Sequence, residues 1–272
     1  MARRPPPRSI LITGASSGIG EALALFYAED GITLFLNGRD EERLGATAEA
    51  CRNKGATVST WVGDVTDADG MKAWIERSDA EAPLNLVIAN AGVAVGARTV
   101  ADLHPAATRA FSANVTGVFN TVHPAVELMA TRPRPVADGQ IAIMSSVMGY
   151  AGTARSPAYS SSKAAIKHYG QGLRGALRGM GIGVTVICPG YVRTAMVAMN
   201  AKLPFLIDLD RATRTIARAI ARNKAQVTFP WQVALIGRIV TNLPGWLIDR
   251  INKPYGVPRL ENEDSEGVDI SS

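Results

Sequence analysis

The sequence predicts an α/β fold, a doubly wound parallel sheet in a single domain. Three observations predict it. Short β-branched runs alternate with segments of helical period, the pattern of a parallel sheet covered by helices on both faces. Some runs are apolar without alternation, as in Leu86-Val87-Ile88-Ala89, which suits strands buried on both sides. A glycine-rich stretch from Gly14 to Gly20 follows the first run and opens the first helix. The chain has 272 residues, 47% of them hydrophobic, enough for one α/β domain with a sizeable core.

Strands are expected at Ser9–Thr13, Thr33–Asn37, Thr57–Val62, Asn85–Ala89, Gln140–Ser145 and Gly183–Cys188. Helices fall between them, at Ile19–Asp30, Glu41–Lys54 and Pro157–Met180. Asp40 is placed to cap the second helix, with Glu41 and Glu42 in its first turn. Thr131–Gly139 reads as a loop because its prolines stop the preceding helix. Asp208 is expected to cap a helix that carries Ala212, Ile216, Ala219 and Ile220 on one face. The domain spans residues 9–258, behind a basic leader at 1–8 and ahead of an acidic stretch at 259–272. That stretch is poor in large apolar groups and is expected to be disordered.

Composition excludes several classes. Cys51 and Cys188 are far apart and form no CxxC pair, which argues against a disulfide framework or thiolate metal site and for the reducing cytoplasm. His104, His123 and His168 lack ligand spacing, so no metal is expected. The net charge of +5 fits an anionic cofactor or simple solubility. No basic stripe interleaved with aromatics points to nucleic acid. No secretory signal and no apolar run of about 20 residues appears.

Thr13-Gly14-Ala15-Ser16-Ser17-Gly18-Ile19-Gly20 can cradle a pyrophosphate. Its glycines let the backbone turn tightly and approach closely, and the helix N-terminus offers N–H donors. An ordinary strand-to-helix turn is the alternative, and the position after the first strand favours the cradle. Tyr159 and Lys163 are four residues apart and share one helix face. An ammonium near a phenol, whose ordinary pKa is about 10, favours the phenolate. Such a tyrosine can pass a proton to or from an oxygen. Ser146 lies 13 residues before Tyr159, at a strand end, with Ser145 beside it as a hydroxyl pointing elsewhere. Asn114 stands in an apolar helical segment, where asparagine is unfavourable.

The Gly-x-x-x-Gly-x-Gly spacing, the Tyr-x-x-x-Lys pair and the serine before it resemble the short-chain dehydrogenase/reductase family, over about residues 8 to 195. The resemblance implies a Rossmann-like fold and hydride exchange with a nicotinamide cofactor. It implies a catalytic set of Ser146, Tyr159, Lys163 and Asn114. Ser146 would hold the substrate oxygen at the tyrosine, and Asn114 would position a water near the lysine. Gly14, Ser16, Ser17, Gly18, Ile19 and Gly20 would cradle the phosphates. Asp64, with Val65, would meet the adenine, although a helix cap is the alternative for Asp64 and Asp67 could serve as that cap. Asn90-Ala91-Gly92 would line the cofactor. Pro189, the Val192 backbone and the Thr194 hydroxyl would hold the carboxamide, although a plain turn there is the alternative.

An acid about 20 residues past the glycine loop binds the ribose of NAD, whereas an arginine suits the 2′-phosphate of NADP. Arg39 lies 19 residues after Gly20, and Asn37 or Gly38 stands where the acid would be. NADP(H) is therefore expected over NAD(H), although Asp40 is close and Ser17 stands where many NADP-using relatives carry arginine.

Met196, Met199, Leu203, Phe205, Leu206 and Ile207, broken by Pro204, either form a lid over a lipophilic substrate or pack on the sheet. The apolar segment 229–251 could be an oligomer interface, a pocket cover or a membrane-surface contact. The expected activity interconverts a carbonyl and an alcohol on a lipophilic small molecule, in a homodimer or homotetramer. A non-catalytic cofactor-binding regulator and a membrane-surface scaffold are the competing functions.

Overall fold

The computed structural model describes residues 5–97, 99–132, 139–154, 156–194 and 205–252. The strands are β1 (Ser9–Ile12), β2 (Thr33–Gly38), β3 (Thr57–Val62), β4 (Leu86–Ala89), β5 (Gln140–Met144), β6 (Gly183–Pro189) and β7 (Gln226–Phe229). Helices α1 (Gly18–Tyr27), α2 (Glu41–Arg52), α3 (Ala68–Glu81), α4 (Leu103–Phe111), α5 (Gly117–Thr131) and α6 (Pro157–Ala176) lie between the first six strands. Helices α7 (Leu209–Ala221), α8 (Trp231–Thr241) and α9 (Gly245–Asn252) complete the described chain.

The sheet order is β3-β2-β1-β4-β5-β6-β7, and every pairing is parallel. The chain reverses its direction of travel across the sheet between β1 and β4. That switch opens a crevice at the carboxyl ends of these strands.

Side chains on successive strand residues enter opposite layers. Ile10 and Ile12 pack with Leu23 of α1, Leu44 of α2 and Ile216 of α7. Leu11 enters the other layer, with Trp74 of α3, Val122 of α5 and Ile166 of α6. Burial on both sides explains why these strands read as unbroken apolar runs. The face expected on α7 is buried at Ala212, Ile216, Ala219 and Ile220.

Strand bounds differ from expectation by single residues, and Thr57–Val62 agrees at both ends. β7 was not expected. It is four edge residues, three half-buried and Phe229 buried, with little apolar signal. The first helix ends at Tyr27 rather than Asp30. The helix from Pro157 ends at Ala176, after which a 3₁₀ turn, Arg178–Met180, closes on Gly181 in the left-handed region. The Asp40 carboxylate caps α2 by accepting from the Arg43 N–H at 2.9 Å. Asp208 stands at the start of α7 without a capping bond. Its carboxylate lies instead 3.4 Å from the Arg193 guanidinium. Met196, Met199, Leu203, Pro204 and the acidic stretch 259–272 lie outside the described residues. Among the described residues, no helix is long and apolar enough to cross a membrane, and no group of three metal-ligating side chains occurs.

Candidate active site

Local geometry makes the glycine loop a cradle. Gly14 and Gly18 have φ of 66° and 60°, a region that costs other residues energy. At Gly20 an added Cβ would lie 2.1 Å from the Gly14 carbonyl oxygen and 2.6 Å from Asn90 Nδ2, so only hydrogen fits. α1 starts at Gly18 without a side-chain cap. Its first N–H groups and positive dipole end therefore remain for an anion.

Thr13 ties the cradle to β4. Its hydroxyl oxygen accepts from the N–H groups of Asn90 (3.1 Å) and Ala91 (3.2 Å). The Asn90 amide donates in return to the Thr13 and Gly14 carbonyls at 3.0 and 3.2 Å. Asn90 and Ala91 are thus fixed at the switch between β1 and β4.

The far end of the cavity holds two arginines. Arg39 Nη1 lies 3.4 Å from Asp64 Oδ2, and both side chains are exposed. Asp64 also accepts from the Thr66 N–H and hydroxyl, each at 2.9 Å. Burial pushes the Asp64 carboxyl up, but the Thr66 hydrogen bonds and the Arg39 charge outweigh it and leave the pKa below the usual range. The α3 cap is Asp67, which accepts from the Gly70 N–H at 3.0 Å, so Asp64 is not spent on that role. Arg43 lines the same end and holds Asp40 at 2.7 Å. Asn37 is buried and gives its amide to the Trp61 and Gly63 carbonyls at 3.2 and 2.9 Å. At Gly38 an added Cβ would come within 2.9 Å of the Ser16 hydroxyl, which leaves no room for an acid.

At the other end, α6 is pinned to β5. The Ser145 hydroxyl donates to the Lys163 carbonyl at 2.8 Å. Lys163 Nζ donates to the Met144 carbonyl at 3.0 Å. Ser145 also borders the cavity, with its hydroxyl committed to the Lys163 carbonyl. Ser146 Oγ accepts from the Met148 N–H at 3.2 Å, and its hydroxyl is close enough to the Tyr159 phenol to favour the phenolate.

Burial pushes the Tyr159 phenol above its ordinary value; the Ser146 hydroxyl works against this, and Tyr191 adds to it. Burial lowers Lys163 to about 8, with Cys188 opposing slightly. The expected lowering of the tyrosine by the lysine is absent in this arrangement. The Lys163 Nζ stands 5.8 Å from the Tyr159 ring centroid and is turned to the Met144 carbonyl. Cys188 itself is buried on β6 below these groups.

Asn114 sits in a π-turn, Ser112–Thr116, between α4 and α5. Such turns re-aim a side chain out of helical register. Its Nδ2 donates to the Val93 carbonyl and to Ser162 Oγ, both at 3.0 Å. Its Oδ1 accepts from the Val93 N–H at 2.8 Å. Both amide hydrogens are thus committed to protein groups.

One cavity of about 780 Å³ joins the two ends. It is lined by Gly14, Ser16, Ser17, Gly18, Ile19, Arg39, Asp64, Val65, Asn90, Ala91, Gly92, Ser146, Tyr159, Lys163, Pro189, Val192 and Thr194. Gly20 and Asn114 stand behind its wall. The sequence reading missed Arg43, Val93 and Ser162, and the tie that Thr13 makes to β4. A strand-end hydroxyl before the first glycine could have signalled that tie, and the spacing of four from Arg39 could have signalled Arg43. The left-handed glycines, the uncapped helix start and the arginine pair fit a nicotinamide nucleotide with its phosphates at Gly14–Gly20.

The profile of the short chain dehydrogenase family matches residues 8–203. An uncharacterized oxidoreductase of Myxococcus xanthus (strain DK1622) is 39% identical over 246 residues, covering 89% of this chain and 95% of its own. A short-chain dehydrogenase from Sphingobium yanoikuyae in complex with NADPH superposes with a TM-score of 0.74 at 26% identity, covering 87% of this chain and 96% of that one. A short chain dehydrogenase from Mycobacterium paratuberculosis bound to NAD shares the fold, with a TM-score of 0.71 at 22% identity over 81% of this chain and 95% of that one. The chain belongs to the short-chain dehydrogenase/reductase family of oxidoreductases, on a fold that binds NAD or NADP.

Proposed function

We propose that the protein is an NADP(H)-dependent oxidoreductase that interconverts a carbonyl and a primary or secondary alcohol on a lipophilic small molecule. The observation that carries this reading is the convergence of Ser146, Tyr159 and Lys163 on the cavity that begins at the glycine cradle.

The bound nicotinamide supplies or takes up the hydride. The start of α1 and the Gly14–Gly18 backbone would hold the phosphates, and Pro189, Val192 and Thr194 would hold the carboxamide. Ser146 donates to the substrate oxygen and keeps it beside the Tyr159 hydroxyl. In reduction Tyr159 gives its proton to that oxygen, and in oxidation it takes the proton back. A phenol raised by burial stays protonated at neutral pH, which suits the reductive direction. Lys163 places its ammonium 5.8 Å from the Tyr159 ring centroid, where it would help to hold a bound nucleotide. Asn114 holds Val93 and Ser162 so that this wall keeps its shape. The preference for NADP(H) is supported by Arg39 and Arg43 at the adenosine end and by the lack of space for an acid at Gly38. Apolar Val93, Ala94, Val147 and Met148 on the cavity wall support a lipophilic substrate.

The reading extends to a cytoplasmic homodimer or homotetramer with peripheral membrane contact through 229–251. The test is a panel of aldehydes and ketones with NADPH or NADH, followed by absorbance loss. The expected result is faster turnover with NADPH and none in Tyr159→Phe, with NADPH binding retained. Full activity in that variant would falsify the tyrosine role.

A further inference from the structure

Lys167 stands one helical turn beyond Lys163 on α6 and, like it, is buried, with 6% of its surface exposed. Among the described residues no carboxylate pairs with it. Its Nζ meets the Tyr150 ring instead, 3.9 Å from the centroid, a cation–π contact. Burial lowers the Lys167 ammonium below its ordinary range, and Cys188 opposes this. A buried ammonium without a carboxylate is costly. A methionine would fill the same slot without that cost. The charge is therefore explained by what it holds in place rather than by stability.

What it holds is one end of the wall beside the catalytic groups. Ser146 caps a 3₁₀ turn, Val147–Gly149, by accepting from the Met148 N–H. Val147 and Met148 line the cavity. The Gly149 N–H donates to the Ser146 carbonyl at 3.0 Å, and the Tyr150 N–H to the Val147 carbonyl at 3.2 Å. Ser146 and Tyr150 are thus the two ends of one hydrogen-bonded unit. Gly149 is pressed on α6, where an added Cβ would lie 2.8 Å from the Lys163 carbonyl oxygen. Tyr150 is fixed at its edges as well. Its hydroxyl lies 2.7 Å from Thr228 Oγ1 and accepts from Gln226 Nε2 at 2.5 Å, both on β7. Its carbonyl accepts from the Thr241 hydroxyl of α8 at 2.8 Å. The cation on the ring face ties the same side chain to α6, the helix that carries Tyr159.

We infer that Lys167 is a positioning residue of the active site, whose contact with the Tyr150 ring sets the turn Val147–Gly149 and so the place of the Ser146 hydroxyl beside Tyr159. Lys167 is not among the residues that line the catalytic cavity, so it acts through Tyr150. The inference rests on the proposed roles of Ser146 and Tyr159. A contact can bias the turn by no more than its own free energy, which for a desolvated cation–π contact corresponds to roughly tenfold.

The test compares Lys167→Met, Lys167→Arg and Tyr150→Leu in the full chain. Each is read by kinetics with a carbonyl from the panel, by NADPH binding and by thermal unfolding. Each is also read by NMR with tyrosine isotope-labelled at Cζ, the Tyr159 resonance being assigned by its loss in Tyr159→Phe. Lys167→Met should lower kcat/KM about tenfold, leave NADPH affinity unchanged and melt no lower than the parent. It should move the Tyr159 resonance. Tyr150→Leu, which keeps the charge and removes the ring, should move it too. Lys167→Arg keeps a cation that stacks on aromatic faces and should stay within about threefold of the parent kcat/KM. Parent kinetics in Lys167→Met overturn the inference. So does a loss of activity that tracks a lower melting temperature, the sign of a merely structural role. A resonance that moves in Lys167→Met and not in Tyr150→Leu overturns it as well, since that marks a through-space effect of the charge. If the parent reduces no carbonyl, the proposed function fails and the resonance alone decides. Movement in Lys167→Met and Tyr150→Leu, with none in Lys167→Arg, then supports the positioning role, and no movement overturns it.

Discussion

Asn114 grips both backbone polar groups of Val93, accepting from its N–H at 2.8 Å and donating to its carbonyl at 3.0 Å. The π-turn makes this possible, because α-helical register would carry the amide past the strand end. Asn114→Ala should cost about 1–3 kcal/mol of stability, the effect of leaving such groups unpaired. It should also cut kcat more than it changes NADPH affinity, since Val93 borders the substrate end. Thermal unfolding and steady-state kinetics on one preparation check both parts.

Lys163 is held in the folded state with its pKa near 8, against an ordinary 10.5. The unfolded chain therefore binds more protons between these values, and this residue's contribution to stability rises with pH across that window. At neutral pH the buried charge costs up to about 3 kcal/mol. Lys163→Met should thus raise the melting temperature at neutral pH while lowering turnover, and the gain should shrink above pH 8. In the parent, kcat for reduction should fall as pH rises through about 8, because Lys163 loses its charge while Tyr159 remains protonated. The methionine variant should lack that limb.

Arg39→Ala should weaken NADPH ten- to a hundredfold, as expected for one charge-assisted contact, and leave NADH little changed. Arg43→Ala should act in the same direction by less, since Asp40 already shares its charge. Dissociation constants for both nucleotides, measured by fluorescence, decide this. Equal losses for NADPH and NADH in Arg39→Ala would reassign the residue to general adenine contact.

Gly20→Ala should abolish nucleotide binding or folding, because its methyl would lie 2.1 Å from the Gly14 oxygen and must open the cradle. Gly45→Ala, with open space around it, should be silent or slightly stabilising by helix propensity. Calorimetric titration of the pair with NADPH separates cradle geometry from a general intolerance of alanine.

Strands β1, β2, β4, β5 and β6 were legible because burial on both sides leaves an apolar run that no loop imitates, and β3, an edge strand with no buried residue, was legible from its β-branched and aromatic residues. β7 was not, since Gln226-Val227-Thr228-Phe229 lies at the edge and half of its residues are polar. The cradle and the Tyr159 and Lys163 pair were legible because their spacing is local. What lay beyond reading was how long-range partners spend each group. Lys163 turns its ammonium to the Met144 carbonyl, so burial rather than mutual attraction sets both pKa values. Asn37 looked like a vacant ribose position, and the fold uses it to join β2 to β3. Asp208 carried the composition of a cap, yet the turn before α7 directs its carboxylate to Arg193.

Cys188 lies buried on β6 beneath the catalytic wall, with its thiol pushed up to about 11, chiefly by burial. Cys51, buried on α2, is raised to about 11 for the same main reason. A covered, protonated thiol is a poor nucleophile, so neither can be alkylated until its surroundings open. The chain thus carries two built-in clocks. The labelling rate of Cys188 times the opening of the catalytic half, and that of Cys51 times the loosening of α2. A nucleotide that bridges the two halves should slow both together.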